Sequence, residues 1–286
     1  MACILSGHDD VVLYMGHCKE SQTESRYMNT NLAYDPFYMR PLGIDFLSAN
    51  AFQARAYMEK AGVDDDHLAE IVVRSRKNAA KNPYARENEM VSGDQVKKSP
   101  YLADPIRELH FYPVTDWAFG MLLCSEERAK EFCDNPVWLT GYGSCMDSYF
   151  PGDRDIISNF ALKNAASRAY SMAGVKNPQK EIDLFELADQ SAYQLPMWAE
   201  GVGIVDEYAG GKWIEEGGPD KSQVNLSGGM LNGNPIMLGG AARVAEAWYQ
   251  LRGEAGDRQI KKPKKALAHG VTGAMGQHHG VVILEK

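Results

Sequence analysis

The residues best placed to do chemistry lie in one stretch, Asn225-Leu-Ser-Gly-Gly-Met-Leu-Asn-Gly-Asn-Pro-Ile-Met-Leu-Gly-Gly-Ala-Ala-Arg243. Its glycines and proline surround a loop that leads into a helix. Backbone without side chains lets a ligand approach closely, and the amides of a helix start favour an oxygen carrying negative charge. A glycine-rich turn that merely needs positive φ has the same composition, so both readings stand at this level. Cysteine and histidine are the other candidates. Cys3, Cys18, Cys124, Cys133 and Cys145 are odd in number and form no CxxC pair. That argues against a disulfide framework and against a zinc finger, and suggests reduced thiols in a cytoplasm. His8, His17, His67, His110, His269, His278 and His279 form no HExxH or HxxxH pair, so no protein-held metal is expected.

The elements that must hold these residues read as α/β. The chain has 286 residues, 44% apolar and 24% charged, with a formal net charge of −8. This is ordinary globular composition, long enough for one large α/β domain or two smaller ones. The acidic balance, without a dominating Lys/Arg cluster, gives no expectation of a nucleic-acid partner. No apolar run reaches the ~20 residues of a membrane span, and no basic segment followed by a long apolar stretch opens the chain. Neither a membrane nor a secretory route is expected.

Residues 2–7 look like a helix tail closed by Gly7. Asp10-Val-Val-Leu-Tyr-Met-Gly16 predicts a buried parallel strand, which needs neighbours so close to Met1. Residues 17–42 show no clear period. A helix is predicted from Asp45 to Lys60, stopped by Gly62, and another opens at Asp64-Asp65-Asp66, whose carboxylates suit the positive end of a helix dipole. Leu68, Ile71, Val72, Ser75 and Ala79 form its inner face, and Asn82-Pro83 ends it. Strands are predicted at 115–123, 137–142, 182–187, 266–268 and 281–284, with a short extended piece at 224–226. Helices are predicted at 163–173, over most of 192–208, and at 239–251. Alternation of strand and helix through the second half points to α/β.

The order of these motifs resembles the thiolase family, in its sterol-carrier-type and acetyl-CoA acetyltransferase-like branch. The glycine-rich stretch is similar to a C-terminal signature that runs Asn-Pro-Ser-Gly-Gly, then Gly-His-Pro, then a Gly-Ala-rich helix start. Arg76-Lys-Asn-Ala-Ala-Lys-Asn-Pro83, Val91-Ser-Gly-Asp-Gln-Val-Lys-Lys-Ser-Pro100 and Ala103-Asp-Pro-Ile-Arg107 resemble the family's loop domain. Pro113-Val-Thr-Asp-Trp-Ala118, Gln250-Leu-Arg-Gly-Glu-Ala-Gly-Asp-Arg-Gln259 and Ala266-Leu-Ala-His-Gly270 continue the match. The resemblance covers nearly the whole chain. It implies a layered α-β-α-β-α fold, incomplete in its first half, with a mainly helical loop domain. Residues 1–16 would be a remnant of the N-terminal half, 17–106 the loop domain and 107–286 the C-terminal half.

It also implies Claisen chemistry on coenzyme A thioesters: a cysteine takes the acyl group, a histidine and a second acid/base move protons, and oxyanion holes stabilise the developing charge. The residue-by-residue carry-over is partial. Asp10–Gly16 matches the strand after the family's nucleophile helix, so Cys3 falls on the helix tail and Cys18 beyond the strand; both read as ordinary thiols. The nucleophile is expected outside these residues. Asn234 stands at the Gly-His-Pro histidine, within Gly233-Asn-Pro235. An asparagine donates to a thioester oxygen but takes no proton near neutrality. It either keeps an oxyanion role or only suits the loop's backbone. Asp189 matches the family's His-Asp-Cys-Phe motif, with Gln190 at the cysteine. His269-Gly-Val-Thr-Gly273 matches the Cys-x-Gly-Gly-Gly loop, again without cysteine. His269 is ranked first for proton transfer, against a ring that merely bonds backbone.

The candidate sites are then His269 and Asn234 for catalysis, Gly233, Pro235, Asp189 and Gly273 for the active-site loop, and Ser227, Gly228 and Gly229 for substrate. Coenzyme A enters as substrate, with no covalently bound cofactor and no metal. A homo- or hetero-oligomer is expected, and the resemblance permits a small zinc-ribbon/OB-fold partner. Tyr27, Tyr34, Phe37, Tyr38, Phe46, Phe52 and Tyr57 either line a bulky acyl pocket or form loop-domain core. Two functions follow: a thiolase-type acyltransferase subunit for acyl-CoA and 3-oxoacyl-CoA that needs its nucleophile from a missing segment or a partner, or a non-catalytic binding subunit of an acyl-CoA-processing complex. Asn234, Gln190 and Gly270 motivate the second.

Overall fold

The computed structural model describes residues 1–23 and 26–286, with side chains from residue 28 onward after the break. Tyr27 therefore lies outside the described side chains.

Eight strands form three sheets among the described residues. β1 (Val11–Lys19) pairs with β4 (Asp116–Cys124), and β2 (Tyr101–Ala103) with β3 (Ile106–Arg107). The main sheet has the order β5 (Trp138–Met146), β8 (His278–Glu285), β7 (Lys265–Thr272), β6 (Leu184–Glu186). Only β6 and β7 run parallel in it; β8 is antiparallel to both its neighbours. Five helices do most of the packing: α1 (Phe46–Ala61), α2 (Asp65–Ala79), α3 (Phe160–Ala173), α4 (Gln194–Gly201) and α5 (Gly239–Arg252).

Strand alternation divides the main sheet's two faces. Leu267, Val281 and Ile283 point into the large core with Leu162, Ala165 and Ala169 of α3 and Trp198 of α4. Ala266, Ala268 and Leu284, one residue out of step, meet Ala247 and Leu251 of α5 on the other face. The result is a helix–sheet–helix sandwich. Close approach on the α3 side demands glycine: a Cβ on Gly143 of β5 would collide with the Ala165 carbonyl.

α1 and α2 form as their ends dictate. Asp45 and Asp64 are N-caps whose carboxylates accept backbone N–H groups, and Gly62 closes α1 at φ 64° in the left-handed region. The helix predicted over 192–208 is shorter; it ends at Gly201, and Gly203 turns the chain at φ 80°.

The first strand departs from expectation. β1 is antiparallel to β4, in register from Val11 opposite Cys124 to Lys19 opposite Asp116, and Leu13 and Met15 are 60% and 70% exposed. The apolar run predicts a buried parallel strand because both of its faces carry apolar residues, and that pattern holds no information on the partner strand or its direction. The ribbon's inner face packs instead on the glycine-rich loop, where Gly16 meets Leu238.

Candidate active site

The site is built on the end of β6. Beyond Glu186 the chain runs through Leu187, Ala188 and Asp189, and the glycine-rich loop lies alongside. Asn225 docks that loop by extending the sheet with its side chain: its Oδ1 accepts from the Leu187 N–H at 2.6 Å and its Nδ2 donates to the Leu187 carbonyl at 3.0 Å.

Two buried carboxylates then hold the loop. Glu186 accepts from the Ser227 N–H at 3.1 Å, the Ser227 hydroxyl at 2.7 Å and the Arg243 guanidinium at 2.9 Å. The same Arg243 nitrogen donates to Ser227 Oγ at 2.7 Å, and the Gly229 N–H donates there at 3.1 Å. Asp189 accepts from the Met230 N–H at 2.7 Å. Gly229, at φ 72°, lies so close that a Cβ would strike the Asp189 carboxylate. Removal from water pushes Glu186 up to about 7, against the pull of Arg243, with Glu246 adding to the rise. The same cause pushes Asp189 up to about 6, again opposed by Arg243.

α2 clamps the loop from the opposite side. Asn78 donates to the Asn225 carbonyl at 3.1 Å, Asn82 to the Ser227 carbonyl at 2.8 Å, and Asn232 to Ser75 Oγ at 2.7 Å. Backbone N–H groups of Arg86 and Glu87 return to the Asn232 carbonyl at 2.8 and 3.0 Å. A groove opens between these parts. Asn82, Tyr84 and Ala85 form one wall, Thr115 and Trp117 a second, Ala242, Arg243, Glu246 and Tyr249 a third, and Ser227, Gly229, Asn232, Gly233 and Pro235 the floor.

The predicted residues distribute unevenly around it. Ser227, Gly229, Gly233 and Pro235 line the groove. Gly228 faces away, packed on Ala79. Asp189 and Asn234 are buried, 1% exposed each. Asn234 donates its backbone N–H to Thr115 Oγ1 at 3.2 Å, and its side-chain Nδ2 has no partner among the described residues. Gly273 lies exposed in the β7–β8 connection.

His269 stands apart from the groove, at the back of β6. Its Nδ1 accepts the Ala188 N–H at 3.2 Å, which leaves the proton on Nε2. That nitrogen lies 2.9 Å from His279 Nδ1, and His279 Nε2 lies 2.8 Å from the Gly276 carbonyl. One directed set of hydrogen bonds thus fixes both rings neutral, stacked beside Trp198. Burial drives His269 well below the ordinary histidine range and His279 down to about 3. Each ring thus bonds one backbone group and the other histidine.

The aromatics of 34–57 lie outside the groove walls. Tyr34 and Tyr57 are core, Tyr57 donating to Glu200 at 2.6 Å, whereas Phe37, Tyr38 and Phe52 are exposed. None of the five cysteines lines the groove either. Among the described residues no cluster of three or more His, Cys, Asp or Glu could hold a metal, and no helix is long and apolar enough to cross a membrane.

Sequence reasoning missed Ser75, Glu186 and Arg243 as site residues. Ser75, Asn78 and Asn82 repeat at helical spacing, a polar stripe beside the apolar one, which is the signal that could have found the clamp.

A family described as thiolase C-terminal domain-like matches residues 144–286. An acetyl-CoA acetyltransferase of Methanothermobacter thermautotrophicus is 32% identical over 278 residues, which cover 96% of this chain and 72% of that protein. The sterol carrier protein 2 of Oryctolagus cuniculus is 32% identical over 75% of this chain but only 41% of its own length. Among solved structures, an Ltp2-ChsH2(DUF35) aldolase superposes with a TM-score of 0.83 at 20% identity, covering 99% of this chain and 74% of that one. The chain belongs to the thiolase family and has its fold.

Proposed function

We propose that the chain is a thiolase-type acyltransferase subunit that acts on acyl-CoA and 3-oxoacyl-CoA by thiolytic cleavage or Claisen condensation. The observation that carries this reading is Asn234: a fully buried side-chain amide with an unpartnered Nδ2, beside the glycine turn. An amide donor in a dry site stabilises the oxygen of a thioester as charge develops on it. Ser227, Gly228 and Gly229 shape the neighbouring backbone, and Asp189 fixes it. In this reading residues 17–106 act as a loop domain over the half at 107–286, following a short N-terminal piece at 1–16, and coenzyme A is a substrate without a bound cofactor.

None of the five cysteines lines the groove, and the acyl-accepting thiol in this reading comes from a partner or from a segment beyond these residues. The Ltp2-ChsH2(DUF35) aldolase, similar in fold, supports a hetero-oligomer. A cytoplasmic setting fits the substrate. The test is thiolysis of acetoacetyl-CoA by the assembled complex. Asn234→Ala should lower kcat by about 10²- to 10³-fold, the size of a lost oxyanion donor. A binding subunit without catalysis is the rival, favoured by the neutral, backbone-bound His269. Acetoacetyl-CoA binding with no turnover in any assembly, or full turnover by Asn234→Ala, sinks the catalytic reading.

A further inference from the structure

The groove has a composition that the glycine-rich loop alone does not explain. Its apolar walls are supplied by Tyr84, Trp117, Tyr249, alanines and a proline; no Leu, Ile, Val or Met lines it among the described residues. Each side is the end of an aromatic cluster. On the ribbon side Trp117 stacks on Phe119, with centroids 5.4 Å apart and planes within 8°, and Tyr14 leans on Phe119 at 6.2 Å. On the helix side Tyr84 stacks on Tyr249 at 6.1 Å and 16°, and Trp248 meets Tyr249 edge-on at 5.2 Å. The floor between them is small: Gly229, Gly233, Pro235 and Ala242.

We infer that this groove is a slot for a planar ring carried by the acyl group, with Trp117 and Tyr84 as its specificity-determining residues. The inference rests on the coenzyme A reading above and deepens it. Fixed aromatic walls over a floor of small residues present flat, polarisable surface, which a ring matches by stacking or edge contact. A straight acyl chain fits better among branched and flexible aliphatic side chains, which the groove lacks. Rigidity favours the ring too, because Phe119 already holds the Trp117 indole and Tyr249 stacks on Tyr84, which lessens the side-chain freedom lost on binding. The Glu186–Ser227–Arg243 and Glu246–Arg258 pairs neutralise the charges at the base. The adenine of coenzyme A is the other possible ring. It is separated from the thioester by the whole pantetheine arm, whereas the groove floor includes Gly233 and Pro235, the two neighbours of Asn234.

The experiment is equilibrium binding of phenylacetyl-CoA, hexanoyl-CoA and free coenzyme A to the whole chain and to its Trp117→Leu and Tyr84→Leu variants, with circular dichroism as the check on folding. Tyr84 is 60% exposed, so its variant tests the slot even where Trp117→Leu fails to fold. The expected result is that phenylacetyl-CoA binds about 3- to 10-fold more tightly than hexanoyl-CoA, the range of an aromatic contact, and that each folded variant narrows this preference with hexanoyl-CoA little changed. Equal affinity of the two thioesters in the unmodified chain overturns the slot while leaving the coenzyme A reading intact. A preference that survives both variants also overturns it. Weakening of free coenzyme A by the same variants, without selectivity between acyl groups, places adenine in the groove and overturns it as well. Binding of none of the three ligands removes the coenzyme A reading itself, and the slot with it.

Discussion

Glu186 and Asp189 on one side of the β6 end, and His269 and His279 on the other, are all no more than 2% exposed. They differ in what burial does to them. The carboxylates face a loop rich in N–H donors and share a cation, so loss of water moves them up only into the range of 6 to 7. The histidines face carbonyl, amide and indole, with no carboxylate paired to them among the described residues, and they stay neutral far below their ordinary range. One side of the site is charged and adjustable near neutral pH. The other is a neutral wall whose hydrogen bonds run in a fixed direction. The glycine-rich loop is attached to the first side, which is why the groove belongs to it.

The two sides should differ most when the shared cation is removed. Arg243→Leu leaves Glu186 in the dry interior without its partner, and breaking one side of a buried ion pair costs about 3–5 kcal/mol. His279→Leu removes one link of a neutral chain and should cost about 1–3 kcal/mol, the range for an unsatisfied buried hydrogen bond. Urea unfolding of both variants measures the pair. Equal losses would mean that the carboxylate side is no more charged than the histidine side.

The two sides also respond to pH in opposite directions. Glu186 rises from 4.5 to about 7 and Asp189 from 3.8 to about 6 on folding. The folded chain therefore holds these protons more tightly, and their contribution is complete at low pH and lost as pH rises through about 6 to 7. His279 falls from 6.5 to about 3, and His110, buried near Asp65, falls to about 4. The unfolded chain takes up those protons first, so the histidine contribution is present above 6.5 and lost as pH falls through about 4 to 3. Between pH ~5 and ~6.5 the two slopes oppose. Glu186→Gln should tilt the stability profile by about 1–2 kcal/mol toward the higher pH, and His279→Gln toward the lower. Parallel profiles for the two variants would show that neither side titrates as its surroundings require.

Much of this arrangement was legible before folding, and the limits are physical. Caps at Asp45 and Asp64, the glycine stop at Gly62, and the strand–helix rhythm after residue 137 are local signals, and the structure follows them. The loop's glycines likewise announced a close backbone approach, which Gly229 makes against Asp189. What failed to show was pairing across sequence distance. Glu186 meets Arg243 across 57 residues, and His269 bonds His279 from the next strand. Neither spacing has a period, so the sequence ranked His269 by position in a motif alone, and its surroundings decide against solvent contact. The ribbon is the counter-example. Leu13, Tyr14 and Met15 carried a strong apolar signal that fixed the strand but not its partner, since antiparallel pairing with β4 was decided by a segment about a hundred residues later.

Cys18 lies at the edge between ribbon and loop. Its thiol faces the Thr115 carbonyl and lies next to the Gly233–Ile236 turn, close enough to the groove to invite a role as nucleophile. Its surroundings oppose one. Burial raises its pKa, and the carboxylates of Glu20 and Asp116 raise it further, against weaker help from backbone N–H groups. A nucleophilic thiol needs the reverse, a positive neighbour or helix start that favours thiolate. Cys3 lies exposed on the helical turn at Ala2–Leu5 and makes the natural reference. Alkylation with iodoacetamide at about pH 8, followed residue by residue in digested peptides, should label Cys3 several-fold faster than Cys18, because the reaction rate follows the thiolate fraction and access. Cys18→Ser should leave thioester binding unchanged. Faster labelling at Cys18 than at Cys3, with acyl transfer onto its sulfur, would place the missing thiol inside the chain and overturn the reading that takes it from elsewhere.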